Sequence, residues 1–268
     1  MHERERHRII LSAVQERAVV TVQDVMEFTG ASEATIRRDI AALADEGRLR
    51  KVRGGAEAIH PAGSLSARSF WQSQSVNQAQ KRAIARAAVD LCHDGEAIII
   101  NGGTTTFQMV HYLTGHRLQV LTNSFPISDH LLKHSRCTVM VPAGTIYREQ
   151  SIILSPFEND GTAHFYAKRM FMGAQGIGPL GIMEADSLII QSEQRLMRQA
   201  EELIVLVDSS KFQNRSSLIL CPLDRATTIV TDDGITDAAR RMVEDAGITL
   251  LIAAPESASD REESPLVA

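Results

Sequence analysis

Between Val76 and Ala253 the chain repeats one pattern: a short apolar run rich in β-branched residues, then a stretch with helical spacing. The runs are AIII at 97–100, LQVL at 118–121, TVMV at 138–141, MFMG at 170–173, LIVLV at 203–207, TTIV at 227–230 and TLLIA at 249–253. Runs this short and this continuously apolar suit strands buried on both faces, the condition of a parallel sheet covered by helices. Helices are expected near 76–92, 104–113, 126–134, 191–201 and 236–246. The fold class that follows is α/β, with an open sheet domain over residues 76–254.

The first sixty residues follow a different rule. Ile9, Ile10, Ala13 and Val14 give a helix over about Glu3 to Glu16 its apolar stripe. Thr21 and Asp24 have the spacing of a reciprocal cap for a short helix from Val22 to Thr29, which Gly30 stops. Ser32 then caps a third helix with a stripe of Ile36, Ile40 and Leu43, ended near Gly47. Opposite that stripe lie Ala34, Arg38 and Ala41, with Thr35 and Arg37 on the flanks. Small residues beside a guanidinium let a helix lie close against a hydrogen-bonding partner. The segment Arg48 to Ile59 alternates apolar and basic residues around Gly54-Gly55, as a small hairpin or wing does. These elements predict a winged helix-turn-helix domain at 1–59. Residues 60–75 form a linker with Pro61, Gly63 and several serines, and its Phe70 and Trp71 are expected to pack on the second domain. The acidic stretch 255–268 reads as a disordered tail.

Charge narrows the partners. The chain has 28 Lys plus Arg against 33 Asp plus Glu, a formal net charge of −5, so affinity for nucleic acid requires a local patch. Between Thr35 and Arg53 the cations Arg37, Arg38, Arg48, Arg50, Lys51 and Arg53 face only Asp39, Asp45 and Glu46. A solvated helix face is the plainer explanation of such a run taken alone. At 44% hydrophobic and 23% charged, with 17 Gly and 8 Pro, the composition excludes disordered and collagenous classes. Cys92, Cys137 and Cys221 are far apart and lack metal-ligand spacing, so reduced thiols are expected, with neither metal nor disulfide. The charged N-terminus and the lack of a long apolar run place the protein in the cytoplasm.

Ligands of open α/β sheets bind at the carboxyl ends of the strands. Four such ends are polar: Asn101-Gly102-Gly103-Thr104-Thr105, Thr122-Asn123-Ser124, Gly173-Ala174-Gln175-Gly176 and Asp208-Ser209-Ser210-Lys211. Glycines allow close backbone approach, and free N–H groups at a helix start bind anions. Each segment alone also serves as an ordinary turn or cap. Together they form a pocket for a small phosphorylated or polyhydroxylated ligand, with Lys211 for a phosphate and Asn123 or Asp208 for hydroxyls. Neither a Walker sequence nor G-x-G-x-x-G follows the Gly103 turn, and G-x-S-x-G is absent, so no cofactor is expected and hydrolysis is disfavoured.

At these residues the chain resembles the deoxyribose-operon regulator (DeoR) family of bacterial transcription factors. Ser32, Thr35, Ile36, Arg37, Arg38 and Asp39 fit its S-x-x-T-I-R-R-D signature, and Gly54-Gly55-Ala56 closes its wing motif. In the second domain Asn101 to Thr105 stand for D-S-G-T-T, Thr122-Asn123-Ser124 match, Ala143-Gly144 replaces Gly-Gly, and Asp208, Ser210 and Lys211 are kept. Asn101 and Gln175 each replace a usual carboxylate by an amide, which orients a hydroxyl but takes no proton.

The resemblance implies a sensor domain related to ribose-5-phosphate isomerase. It also implies a homo-oligomeric DNA-binding regulator, a repressor of a carbohydrate operon released by a phosphorylated sugar. Arg37 and Arg38 would read guanine edges or phosphates, Ala34 and Thr35 would allow close approach, and Ser32, Lys51, Arg53 and Gly54 would lie along the DNA backbone. The effector would meet Asn101, Gly102, Gly103, Thr104, Thr105, Thr122, Asn123, Ser124, Gly144, Gln175, Asp208 and Lys211. Two alternatives stand beside this: an isomerase-like enzyme using Asp208, Lys211 or Glu184 with an appended DNA-binding domain, and a sensor fold reduced to an oligomerisation scaffold.

Overall fold

The computed structural model describes residues 2–16, 19–57 and 70–254; Ile59, the linker residues 60–69 and the acidic stretch 255–268 lie outside the described residues. The chain divides into two compact units, Met1–Arg68 and Ser69–Ala268.

In the first unit, α1 (Glu3–Glu16) leads to strand β1 (Val19–Thr21), α2 (Val22–Thr29) and α3 (Glu33–Asp45), then to the hairpin of β2 (Arg50–Val52) and β3 (Gly55–Glu57). Thr21 and Asp24 close the expected reciprocal cap, and Gly30 ends α2 in the left-handed region at φ 66°. Such a cap contributes about 1 kcal/mol, which matters for a helix too short to stand alone. The hairpin turn passes through Arg53-Gly54, with Gly54 at φ 82°, where a side chain would be strained. Val20, Ile36, Ile40, Leu43, Leu49 and Ala56 meet Ile10, Val14 and Val25 in one core. Strand β1 was not expected; three residues are too few to show an alternation, and it forms by pairing antiparallel with β3.

The second unit opens with α4 (Phe70–Ser73) and α5 (Gln78–Val89). It continues through β4 (Ala97–Ile100), α6 (Thr104–Phe107), β5 (Gln119–Leu121), α7 (Phe125–His134), β6 (Thr138–Met140), β7 (Thr145–Tyr147), β8 (Ile152–Leu154) and β9 (Ala167–Met172). It ends with β10 (Gly176–Gly178), β11 (Gly181–Glu184), α8 (Ser187–Met197), β12 (Ala200–Leu206), β13 (Leu218–Cys221), β14 (Thr228–Asp232), α9 (Asp237–Asp245) and β15 (Thr249–Ala253). Seven strands form one parallel sheet in the order β15-β14-β12-β9-β4-β5-β6. All seven are the apolar runs of the sequence. Successive side chains explain their continuity: Ile98 and Ile100 enter one core cluster and Ile99 the other, as Ile204 and Leu206 do against Leu203 and Val205.

Several expectations change. Phe70 is buried, but Trp71 is 61% exposed and touches Phe70 only edge-on, so the tryptophan does not pack into the core as expected. Residues 70–75, assigned to the linker, lie inside the second compact unit. The helix expected at 104–113 is one α turn followed by a 3-10 turn at Gln108–His111, and the helix expected at 191–201 begins at Ser187, capped by Asp186. The β7–β8 hairpin and the antiparallel sheet β10-β11-β13 were not foreseen, because strands of three or four residues show no clear alternation and Gly176, Gly178 and Gly181 make β10 and β11 look like a turn. Cys92 and Cys221 are buried free thiols, pushed up to about 12 and about 11 by burial. No helix among the described residues is long and apolar enough to cross a membrane.

Candidate DNA-binding and effector sites

On α3 the Ser32 hydroxyl accepts the Thr35 N–H at 3.4 Å and lies 2.9 Å from the Thr35 hydroxyl, which fixes the helix start. Ile36, Ile40 and Leu43 face the core, leaving Ser32, Ala34, Arg37 and Arg38 exposed and Thr35 and Ala41 half-buried. Asp39 of the signature is buried. It accepts from the Arg6 guanidinium at 2.7 and 3.1 Å and faces His7 at 3.4 Å, so it ties α1 to α3 and does not face outward. The cations sort themselves by partner. Arg37 pairs with Glu33 one turn earlier, Arg48 with Glu46, and Arg50 with Glu57 across the hairpin. Arg38, Lys51 and Arg53 are exposed and make no ion pair among the described residues. These three cations, on one helix and one hairpin, make a local positive patch of the kind that phosphate binding needs.

In the second unit the strand order reverses between β4 and β9, and the crevice beyond their carboxyl ends is the topological place for a ligand. Asn101, directly after β4, is buried and donates through Nδ2 to Glu193 Oε1 at 2.6 Å. The Gly102 N–H donates to Asn123 Oδ1 at 2.8 Å, and Asn123 Nδ2 reaches the Ser192 hydroxyl at 3.3 Å. The ends of β4 and β5 are thereby joined to α8. A Cβ on Gly102 would stand 2.4 Å from the Ile152 side chain, so only glycine fits under the β7–β8 hairpin without displacement. Thr104 is half-buried at the start of α6, just after Gly103, and Thr105 behind it is buried.

Other expected residues have structural work. Thr122 Oγ1 accepts the Ser124 N–H at 3.0 Å, and Ser124 caps α7. Gly144 is glycine because a Cβ there would lie 2.4 Å from the Leu154 carbonyl oxygen. Gln175 pairs through its backbone N–H with the Met183 carbonyl at 3.0 Å and is half-buried. Asp208 follows β12, caps the 3-10 turn carrying Lys211, and accepts from Asn77 Nδ2 at 3.0 Å.

Four participants were missed or undervalued: Glu193, Glu184, Asn77 and Lys81. Glu193 is fully buried; burial, then the charge of Glu184, pushes its carboxyl well above the usual range. Burial also raises Glu184, opposed by the Ala185 N–H and the charge of Lys211. Lys81 is lowered to about 8, chiefly by burial, with Asp208 opposing and Lys211 adding to the shift. Two ammonium groups and three carboxyls thus sense one another around the amides of Asn101 and Asn123. Such a set can hold an anion at Lys211 and read hydroxyls at the amides. A signal for Glu193 did exist: it shares the apolar face of α8 with Ile189, Leu196 and Met197, where a carboxylate needs a reason.

A winged helix with exposed cations, followed by a parallel-sheet unit that gathers polar residues at the strand ends of its switch point, fits a DNA-binding regulator with a sensor domain. Residues 6–62 match the DeoR-like helix-turn-helix domain and residues 76–233 the DeoR C terminal sensor domain. The chain belongs to the DeoR family of transcriptional regulators. Among its curated relatives is the HTH-type transcriptional regulator UlaR of Shigella flexneri serotype 5b, 34% identical over 94% of this chain and 99% of that protein. UlaR of Escherichia coli O1:K1 shows the same identity and coverage. Solved structures include ribose 5-phosphate isomerase A from Methanocaldococcus jannaschii, 19% identical over 50% of this chain and 54% of that one, at a TM-score of 0.38. Another is eIF2B delta from Chaetomium thermophilum, 16% identical over 59% of each chain, at a TM-score of 0.41.

Proposed function

We propose that this protein is a cytoplasmic repressor of a carbohydrate-catabolism operon, acting as a homo-oligomer and released by a phosphorylated sugar. The observation that carries the DNA half is the set of exposed cations Arg38, Lys51 and Arg53, which make no ion pair among the described residues, beside neighbours already neutralised by carboxylates. In this assignment the DNA-binding domain is 1–59, with α3 in the major groove, Arg37 and Arg38 toward base edges or phosphates, and Ala34 and Thr35 allowing close approach. Ser32, Lys51, Arg53 and Gly54 lie along the backbone. One small module binds a half-site weakly, which favours an oligomer that presents several.

The effector is assigned to the crevice of Asn101 to Thr105, Asn123, Asp208 and Lys211, with Lys211 taking the phosphate. Thr122, Ser124, Gly144 and Gln175 shape that crevice through the backbone. Amides at 101 and 175, where a base would need carboxylates, favour sensing over turnover. Binding to the DNA upstream of the protein's own operon is the test, against a scrambled fragment at fixed salt and with a panel of sugar phosphates. Preferential binding of the upstream fragment, weakened by one sugar phosphate, is the expected result. Equal affinity for both fragments, or turnover of a sugar phosphate by the purified protein, would overturn it.

A further inference from the structure

The second compact unit begins at Ser69, so residues 70–81 are its opening segment in chain order. That short segment is tied to α6, to the β7–β8 hairpin and to Asp208, the last of them a residue assigned above to the effector. The Phe70 ring packs edge-on against Phe107, centroids 5.5 Å apart, at the end of the helix that starts with Thr104. The Phe70 N–H donates to the Glu149 carbonyl at 2.9 Å, in the loop of the β7–β8 hairpin whose Ile152 covers Gly102. Asn77 donates its amide to Asp208 at 3.0 Å.

The tie at Asn77 is built under constraint. Asn77 adopts φ 51°, ψ 41°, the left-handed region that few residues other than glycine enter, and Asn enters more readily than most. Lys81, one turn into α5, is buried and spends its ammonium on the carbonyls of Ser73 and Val76, gathering the turn between α4 and α5. Asp208 and Lys211 both act electrostatically on that ammonium. Asp208 Oδ1 accepts from the Ser210 N–H and hydroxyl as well as from Asn77, so a ligand hydroxyl donating to that crowded oxygen would have to displace one of these donors, and an anion on Lys211 would alter the field at Lys81.

We propose that residues 70–81 are the coupling element of the regulator, with Asn77 and Lys81 as the positioning residues that register occupation of the crevice. The proposal rests on the assignment of the effector to Asp208 and Lys211. Coupling requires that the ligand favour one arrangement of this segment over another, and competition for Asp208 supplies that difference.

Two substitutions separate the hydrogen bond from the backbone shape. Asn77→Gly keeps the left-handed conformation and removes the amide; Asn77→Asp sets a carboxylate against Asp208. In the absence of ligand, Asn77→Asp is expected to change affinity for the upstream DNA about tenfold, in the direction the effector does, a size typical of allosteric coupling. Asn77→Gly should shift it the same way by less and should blunt the response to sugar phosphates. If Asn77→Asp does not fold, as judged by circular dichroism, Asn77→Gly decides. Wild-type affinity and wild-type ligand response in the folded variants would overturn the coupling role while leaving the regulator assignment intact. A wild-type protein that does not prefer the upstream fragment would sink both.

Discussion

Arg38, Lys51 and Arg53 stand exposed on one helix and the hairpin that follows it closely in sequence, each set by local structure alone. Asn101, Asn123, Asp208 and Lys211 come from three strand ends, and the side chains of the first three bond Glu193, Ser192 and, for Asp208, Asn77 and the 3-10 turn that carries Lys211. The first site is a surface that waits for a partner. The second is a largely buried polar network in which most side chains already bond within the protein, while Asn101 Oδ1 and Glu193 Oε2 have no hydrogen-bond partner among the described residues. Substitutions in the first should therefore change affinity and little else, whereas substitutions in the second should change stability, ligand affinity and pH response together.

The largest effect should come from Asp39→Ala, which crosses that division. The carboxylate is buried and pairs with Arg6 of α1, so its removal breaks the tie between α1 and α3 and should destabilise the DNA-binding unit more than any surface substitution does. Chemical denaturation followed with probes in each unit would show an earlier first transition and an unmoved sensor transition. A single transition shifted as a whole would mean that the two units unfold together.

Arg38→Ala is next and probes the surface site in its pure form. Loss of a base-edge or phosphate contact should weaken operator binding about tenfold to a hundredfold. Fold stability and sugar-phosphate binding should stay as in the wild type. Undiminished operator affinity would remove α3 from the recognition role. Lys211→Ala is the counterpart in the sensor: it should lower affinity for a phosphorylated sugar about tenfold and spare operator binding, and calorimetric titration reads the difference. Normal induction in that variant would exclude the lysine.

The same contrast explains what was legible beforehand. All seven strands of the main sheet, the capped helices α2 and α3 and the hairpin were readable because burial period and caps are written locally in the residues that form them. The crevice segments were readable as candidates because strand ends follow from strands. What escaped was long-range pairing. Strand β1 exists by pairing with β3, and the antiparallel sheet β10-β11-β13 joins residues that no periodicity connects. Glu193 escaped because α8 was phased four residues late, which hid that its carboxylate lies on the apolar face. Gly144, Thr122 and Ser124 stand out in the sequence as effector candidates, and their local contacts give them packing and capping roles that a motif alone does not distinguish from ligand binding.

The smallest expected effect is the most discriminating for the buried network. Glu193 holds its proton more tightly in the folded chain than when unfolded, because burial and the Glu184 charge disfavour the carboxylate. A carboxyl raised on folding contributes stability that is fully present below its unfolded value, about 4.3, and is lost as pH rises toward the folded value. Glu193→Gln replaces it with a neutral group of the same shape, which can still accept from Asn101, and has no proton to lose. The stability difference between the variant and the wild type should therefore move in favour of the variant as pH is raised from about 4 through neutrality. Melting temperatures at a series of pH values measure this. A difference constant with pH would mean that Glu193 is ionised in the folded chain. In that case a cation or ligand group must lie against its second oxygen, Oε2, which has no hydrogen-bond partner here.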